Sequence, residues 1–369
     1  MIEKLQAGDR VALLTSGGDA PGMNAALRAA AKVGASMGLE VVGVEDGYVG
    51  LMAGRIVGLD LRALDEASRR GGTVLGSARS KVFPTAEGQA KAREVIARER
   101  LAGLIVIGGN GSLTGARTLR DADGSRGKLR VGGIPASIDN DLACTTMAIG
   151  VDTAMNTIVD ACDRIADTAS AHRRTFVVEV MGRDCGYLAM TSGVAAGADA
   201  VLVPEIGKSE ESIVEQVVGM MVDAYTRNTG KRRVLIIKAE GVKVDSASLR
   251  ERVELAVKEQ LPDVDTRVTV LGHVVRGGTP SAFDRLLGAR LAHAAMRAVS
   301  EGETDFMAGW IGPGAMPSSE TKLCAHDPYV VLTGLEAVLR ETERLMKGDS
   351  PVAQWRRRIF SEIEPILRK

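Results

Sequence analysis

Two aspartates stand two residues apart in SIDND (137–141), where the apolar stretch RVGGIPAS (130–137) ends. Alternate residues of an extended loop share a face. Asp139 and Asp141 can therefore divide the work, one taking a proton from a hydroxyl and the other holding a cation or a water. The competing reading is an Asx-turn or helix-capping cluster. Two glycine turns, SGGDAPGMN (16–24) and GGNGS (108–112), also follow apolar runs. Such turns offer backbone N–H groups to a phosphate, and a following helix N-terminus favours anions. A plain tight turn is the alternative. Neither is G-x-G-x-x-G or a Walker loop. Arg79 follows another glycine turn in GGTVLGSARSK, Arg183 lies in MGRDCG and Arg276 in GHVVRGG, while Arg174 and Arg267 stand near the starts of apolar runs. A lone arginine is ordinarily a surface ion pair. Several near strand ends in a neutral chain point to a site for more than one phosphate. His273, beside Arg276, can donate to a phosphate or sugar oxygen, or else be a core histidine. His293 and His326 read as structural.

These residues must be held by something. Apolar runs at 10–15, 39–44, 104–109, 130–137, 175–182, 200–205, 232–241 and 267–273 read as strands. Stretches at 23–37, 87–101, 152–168, 209–227 and 246–260 read as helices. This alternation predicts an α/β protein of two Rossmann-like lobes, each a mainly parallel sheet flanked by helices. Ligands of such folds sit at the carboxyl ends of the strands. The expected lobes are 1–150 plus about 275–325, and 151–274 plus about 326–369. Gly, Pro and charged residues near 300–330 suggest a crossing or rim loop. The tail reads as two helices broken at KGDSP, its RRR run a solvated helix face or a packing contact rather than a nucleic-acid site.

Composition excludes some functions. Lys plus Arg and Asp plus Glu number 47 each, so no global field draws nucleic acid or a membrane. Aromatic residues are 3%, too few for base-stacking platforms. No two of the four cysteines have C-x-x-C spacing, which argues against zinc and redox motifs. The absence of an apolar leader and of a long apolar run makes a cytoplasmic protein the expectation.

TSGGDAPGMN, GGTVLGSAR, IGG-x-GS, SIDND, VVEVMGR, VLVPE and TVLGHVVRGG resemble, in order and spacing, the 6-phosphofructokinases of the phosphofructokinase A type, from about residue 10 to about 315. The resemblance implies phosphoryl transfer to the 1-hydroxyl of fructose 6-phosphate by a homo-oligomer, tetramer or dimer, with Mg²⁺ and ATP. It makes Asp139 the general base and Asp141 the second carboxylate, near metal and substrate. Ser137 stands where Thr is usual and still offers a hydroxyl. Met181, Gly182, Arg183, Glu240, His273 and Arg276 match the sugar-phosphate pocket, and Arg183 also stabilises the transferring phosphoryl. Arg174 and Arg267 match arginines that reach a neighbouring subunit's site. Gly18, Tyr48, Arg79, Asn110, Gly111, Ser112 and Gly115 match the nucleotide side, with Arg79 bridging donor phosphates.

Gly111 and Ala136 favour ATP over pyrophosphate, since the pyrophosphate type commonly has Asp and Lys in these places. Asn110 is the main departure. The family usually has Asp there, on the metal side, so the expectation is an active kinase with Mg²⁺ held more weakly or differently, directly or through water. The alternatives are a pyrophosphate-dependent enzyme, or a weakly active or non-catalytic sugar-phosphate- or nucleotide-binding homologue. Arg28 and Lys32 match or stand for cationic effector-binding positions, whereas Leu61 and Ala166 replace arginines there, implying weak or absent effector control.

Overall fold

A computed structural model describes residues 3–226, 232–312 and 320–367, apart from the side chain at 364. The expected helix end at 227 and part of the 300–330 stretch lie outside the described residues. The strands are β1 (Arg10–Ser16), β2 (Glu40–Val44), β3 (Ile56–Gly58), β4 (Leu101–Gly108), β5 (Asp123–Gly124), β6 (Gly127–Lys128), β7 (Arg130–Pro135), β8 (Arg174–Val180), β9 (Ala200–Leu202), β10 (Val234–Ala239), β11 (Asp265–Val270), β12 (Phe306–Trp310), β13 (Thr321–Cys324) and β14 (Asp327–Gly334). The helices of the first half are α1 (Met23–Ser36), α2 (Gly47–Ala53), α3 (Leu61–Ala67), α4 (Ala86–Arg98), α5 (Asn110–Thr118) and α6 (Val151–His172). They are followed by α7 (Tyr187–Ala195), α8 (Glu210–Thr226), α9 (Ser246–Val257), α10 (Ala282–Ser300), α11 (Leu335–Lys347) and α12 (Pro351–Leu367).

The chain divides into two compact units. The first comprises Met1–Ile138, Leu142–Thr153 and Arg276–Arg344; the second comprises Asp139–Asp141, Ala154–Val275 and Leu345–Lys369. The first holds a sheet of order β13-β14-β12-β7-β4-β1-β2-β3. Its centre, β12 through β2, is parallel, and antiparallel pairs finish both edges. Every residue of β4 and β7 is buried, as strands covered on both faces require. The chain winds outward in both directions from β1 and β4, and this reversal of strand order marks a crevice at their carboxyl ends. Residues 326–344, expected with the second lobe, group with the first unit because β14 pairs with β12. The 300–330 stretch contributes the edge strand β13 and the inner strand β12, which pairs with β7 and β14.

Asp284 joins two helix starts in this unit. Ser281 caps α10, and the Asp284 carboxylate accepts from Gly150 N, Thr153 N and Thr153 Oγ1 at 2.8, 2.8 and 2.5 Å at the start of α6. The second unit holds the parallel sheet β11-β8-β10-β9. Lys238, 1% exposed, meets Glu179 Oε2 at 3.0 Å across the β10–β8 pair. The expected mainly parallel sheet flanked by helices is present in both units.

Candidate active site

In the first unit, register places three loops side by side. Ser16 of β1 pairs with Gly108 of β4, and Gly108 pairs with Pro135 of β7. SGGDAPG, GNGS and the start of PASIDND therefore emerge together at the crevice end. Gly108 O accepts from Ala136 N at 3.0 Å, which holds the third loop against the second. The GGNGS turn proves to be the start of a helix, with Gly109 as N-cap and Asn110 as the first residue of α5. Ser112 N and Leu113 N both donate to Gly109 O at 3.0 Å, so the N–H groups of Asn110 and Gly111, ahead of them, form the anion-ready end.

Gly111 is exposed, and a Cβ built there meets nothing within 4 Å. Protein packing does not require glycine at 111; it leaves open room beside the helix start, which suits a phosphate-bearing ligand. Gly115 differs. A Cβ there would lie 2.7 Å from the Tyr48 ring. Tyr48 is buried, stacks on Phe83 at 3.9 Å between centroids, and donates to Ser112 O at 2.6 Å. Burial raises its phenol far above the ordinary value. Tyr48, Ser112 and Gly115 thus seat α5 from beneath, while Asn110 and Gly111 are exposed. Gly18 lies against Arg276, whose Nη1 donates to Asp19 O at 3.4 Å. Arg79 is exposed. Ser137 is half-buried just after the β7 end. Arg28 and Lys32 both reach the Asp65 carboxylate, which lowers the Asp65 pKa.

In the second unit, β8 ends at Val180 opposite Ala239 of β10. The next residues are therefore neighbours, and the Glu240 carboxylate accepts from Gly182 N at 3.3 Å and Arg183 N at 2.8 Å. Gly182 has φ 143, and a Cβ would stand 2.4 Å from Cys185 O. No other residue fits that turn without moving the backbone. Arg183 has φ 50 and is exposed. On the far side of the turn, Glu205 Oε1 accepts from Gly186 N at 2.6 Å. Burial raises the Glu205 pKa. Two carboxylates thus brace the loop that carries Met181 and Arg183. His273, exposed in the 3-10 turn after β11, lies at this same carboxyl end of the sheet.

Arg174 and Arg267 lie elsewhere. Arg174 opens β8, and both guanidinium groups share Asp265 Oδ2, at 3.1 and 2.7 Å. They belong to the amino ends of β8 and β11, a strand length of roughly 20 Å from the Arg183 turn. The sheet of one chain does not bring them to Arg183, Glu240 and His273.

Asp139 and Asn140 are buried, and Asn140 has φ 48. Asp139 and Asp141 thus flank a residue in the left-handed region. Among the described residues, no three His, Cys, Asp or Glu side chains gather as a metal cluster. Two carboxylates in one turn are a donor set that suits an ion carried on nucleotide phosphates, because Mg²⁺ usually keeps waters and takes only one or two carboxylates. The VLVPE motif contains Glu205 but gave it no role, and nothing in the sequence pattern marked Asp265; their supporting contacts are visible only once the strands are aligned.

Parallel sheets with anion-ready loops at their carboxyl ends define an α/β protein that handles phosphorylated ligands. The phosphofructokinase family model matches residues 10–299, and the chain belongs to that family. It is 47% identical over 300 residues to the ATP-dependent 6-phosphofructokinase of Natranaerobius thermophilus, covering 81% of this chain and 89% of that one. Identity to the Thermotoga neapolitana enzyme of the same name is 42% over 298 residues, covering 81% and 88%. The Pichia pastoris phosphofructokinase crystal structure in the T-state superposes with a TM-score of 0.84 at 30% identity, over 98% of this chain; this chain spans 40% of that one. Among the described residues no helix is long and apolar enough to cross a membrane.

Proposed function

We propose that this protein transfers the terminal phosphoryl group of ATP to the 1-hydroxyl of fructose 6-phosphate, giving fructose 1,6-bisphosphate and ADP, as a cytoplasmic enzyme. The observation that carries this reading is the match to ATP-dependent relatives along a chain that keeps the Asp139 carboxylate in the loop after β7. Asp139 takes the proton of the 1-hydroxyl as its oxygen attacks the phosphorus, and the bond to the departing ADP oxygen breaks. In the first unit, the start of α5 with Asn110, Gly111 and Ser112, together with Gly18 and Arg79, holds the donor phosphates. Ser137 offers a hydroxyl to the group in transfer. Tyr48 and Gly115 act through α5, and Arg276 beside Gly18 serves the sugar phosphate. In the second unit Arg183 meets the charge that develops in transfer, while Met181, Gly182, Glu240 and His273 form the sugar side. Mg²⁺ would neutralise phosphate charge, with Asp141 holding it and Asn110 contributing through water.

The position of Arg174 and Arg267 at the far end of the sheet supports their serving a neighbouring subunit's sugar 6-phosphate in a homo-oligomer, dimer or tetramer. The open space at Gly111 supports ATP over pyrophosphate, since an acidic side chain there would repel the inner phosphate. A coupled assay with fructose 6-phosphate and either donor decides the matter. ADP formation from ATP is expected. Turnover with pyrophosphate alone overturns the donor, and no turnover with either overturns the enzyme.

A further inference from the structure

The RRR run of α12 lies outside residues 10–299, which the family model matches. Its three arginines have different fates. Arg358 is exposed and pairs with Glu362 at 3.0 Å, and Arg357 donates to Gly348 O. Arg356 turns inward. Its Nη1 donates to Asn140 O at 3.2 Å and lies 3.9 Å from Cys185 Sγ. Its guanidinium stands 4.5 Å from the centroid of the Tyr187 ring, in cation–π contact. The Asn140 side chain in turn hydrogen-bonds Tyr187. Asn140 is fully buried with φ 48, a left-handed turn that asparagine adopts more readily than other side-chain-bearing residues. Arg356 and Tyr187 hold it in place, one on the carbonyl and one on the side chain.

We propose that Arg356 is a positioning residue for the reaction: from the C-terminal helix it fixes the backbone of Asn140 and so aims the carboxylates of Asp139 and Asp141 on either side. The inference rests on the reading of Asp139 as the base. A guanidinium suits the task because it donates to a carbonyl while lying flat on an aromatic ring. The Arg183 turn gains from the same contact, since Cys185 belongs to it.

The test uses the full-length chain with Arg356→Met, Arg356→Lys, Arg356→Gln and, on the solvent side of the same helix, Arg358→Ala. Arg356→Met is expected to lower kcat about tenfold or more with both KM values within about threefold, as misplacement of a reacting group does. Arg356→Lys, which keeps a cation and a donor, recovers most of the loss, and Arg358→Ala changes neither constant. Should the methionine variant fail to fold, Arg356→Gln carries the same expectation. In an Asp139→Asn background the Arg356 change should cost little further, because the group it aims is gone; a general structural role would lower both backgrounds equally. A kcat within about twofold of the parent, or equal losses in the two backgrounds, overturns the proposal. Asp139→Asn alone separates the two ideas. If that variant keeps its kcat, the base assignment falls whatever Arg356 does.

Discussion

Asp139, Asn110 and Gly111 are the single residues on which the proposed chemistry turns. Asp139→Asn removes the proposed proton acceptor but preserves shape, so kcat should fall by about 10²–10⁴ with little change in fructose 6-phosphate KM. Steady-state kinetics at saturating ATP checks it. Gly111→Asp separates ligand space from protein packing. A Cβ at 111 meets no protein atom within 4 Å, so the variant should keep its melting temperature. Its kcat/KM for ATP should nevertheless drop by about 10² or more, a repulsion of roughly 3 kcal/mol. Thermal unfolding and ATP titration on one preparation read both halves; equal losses in each would show that position 111 serves the fold instead. Asn110 begins α5 exposed; under the proposed function its neutral acceptor attracts Mg²⁺ less than an aspartate would, without disturbing the helix start.

Helices and strands matter through their ends. The Asp284 carboxylate serves three donors at the start of α6, while burial raises its pKa above the ordinary carboxylate range. Asp284→Ala leaves those donors buried without an acceptor and should cost at least about 3 kcal/mol, read as a lower urea midpoint. The pH sign follows from the raised pKa. The folded state binds the proton more tightly than the unfolded chain, so this group's contribution falls as pH rises through the ordinary carboxylate range. It levels off above the raised value. Asp284→Asn cannot titrate, and relative to it the parent should lose stability over that window. An unchanged difference between the two across pH would remove Asp284 from the account.

At the scale of the whole molecule, the two arginines at the amino ends of β8 and β11 make the strongest demand. If they serve a neighbouring copy, Arg267→Ala should raise fructose 6-phosphate KM about tenfold or more and leave kcat and ATP KM nearly unchanged. Subunit exchange then gives a sharper result. Arg267→Ala chains keep Asp139, and Asp139→Asn chains keep Arg267. Co-assembled at low fructose 6-phosphate, they should regain activity well above either alone. No regain, with mixed oligomers demonstrated by native mass spectrometry, would confine Arg267 to its own chain.

The amino-acid sequence by itself determined the local conformations and the chemistry of the loops. Runs such as LIVIG and VLII have no polar face to offer water, so they become buried parallel strands, and the glycine and aspartate turns fall at their ends. The two tail helices around KGDSP were legible for the same local reason. Tertiary structure alone decided which ends meet. Strand order placed the crevice at β1 and β4, and register set Glu240 under the Arg183 turn while leaving Arg174 and Arg267 at the opposite end. It also decided which arginine of the RRR run packs inward and which stay in solvent, and it made Gly115 a packing residue while Gly111 faces open space. Those outcomes depend on pairing between segments far apart in the chain, where the energy lies in alignment and close packing, and no short pattern of residue types records that alignment.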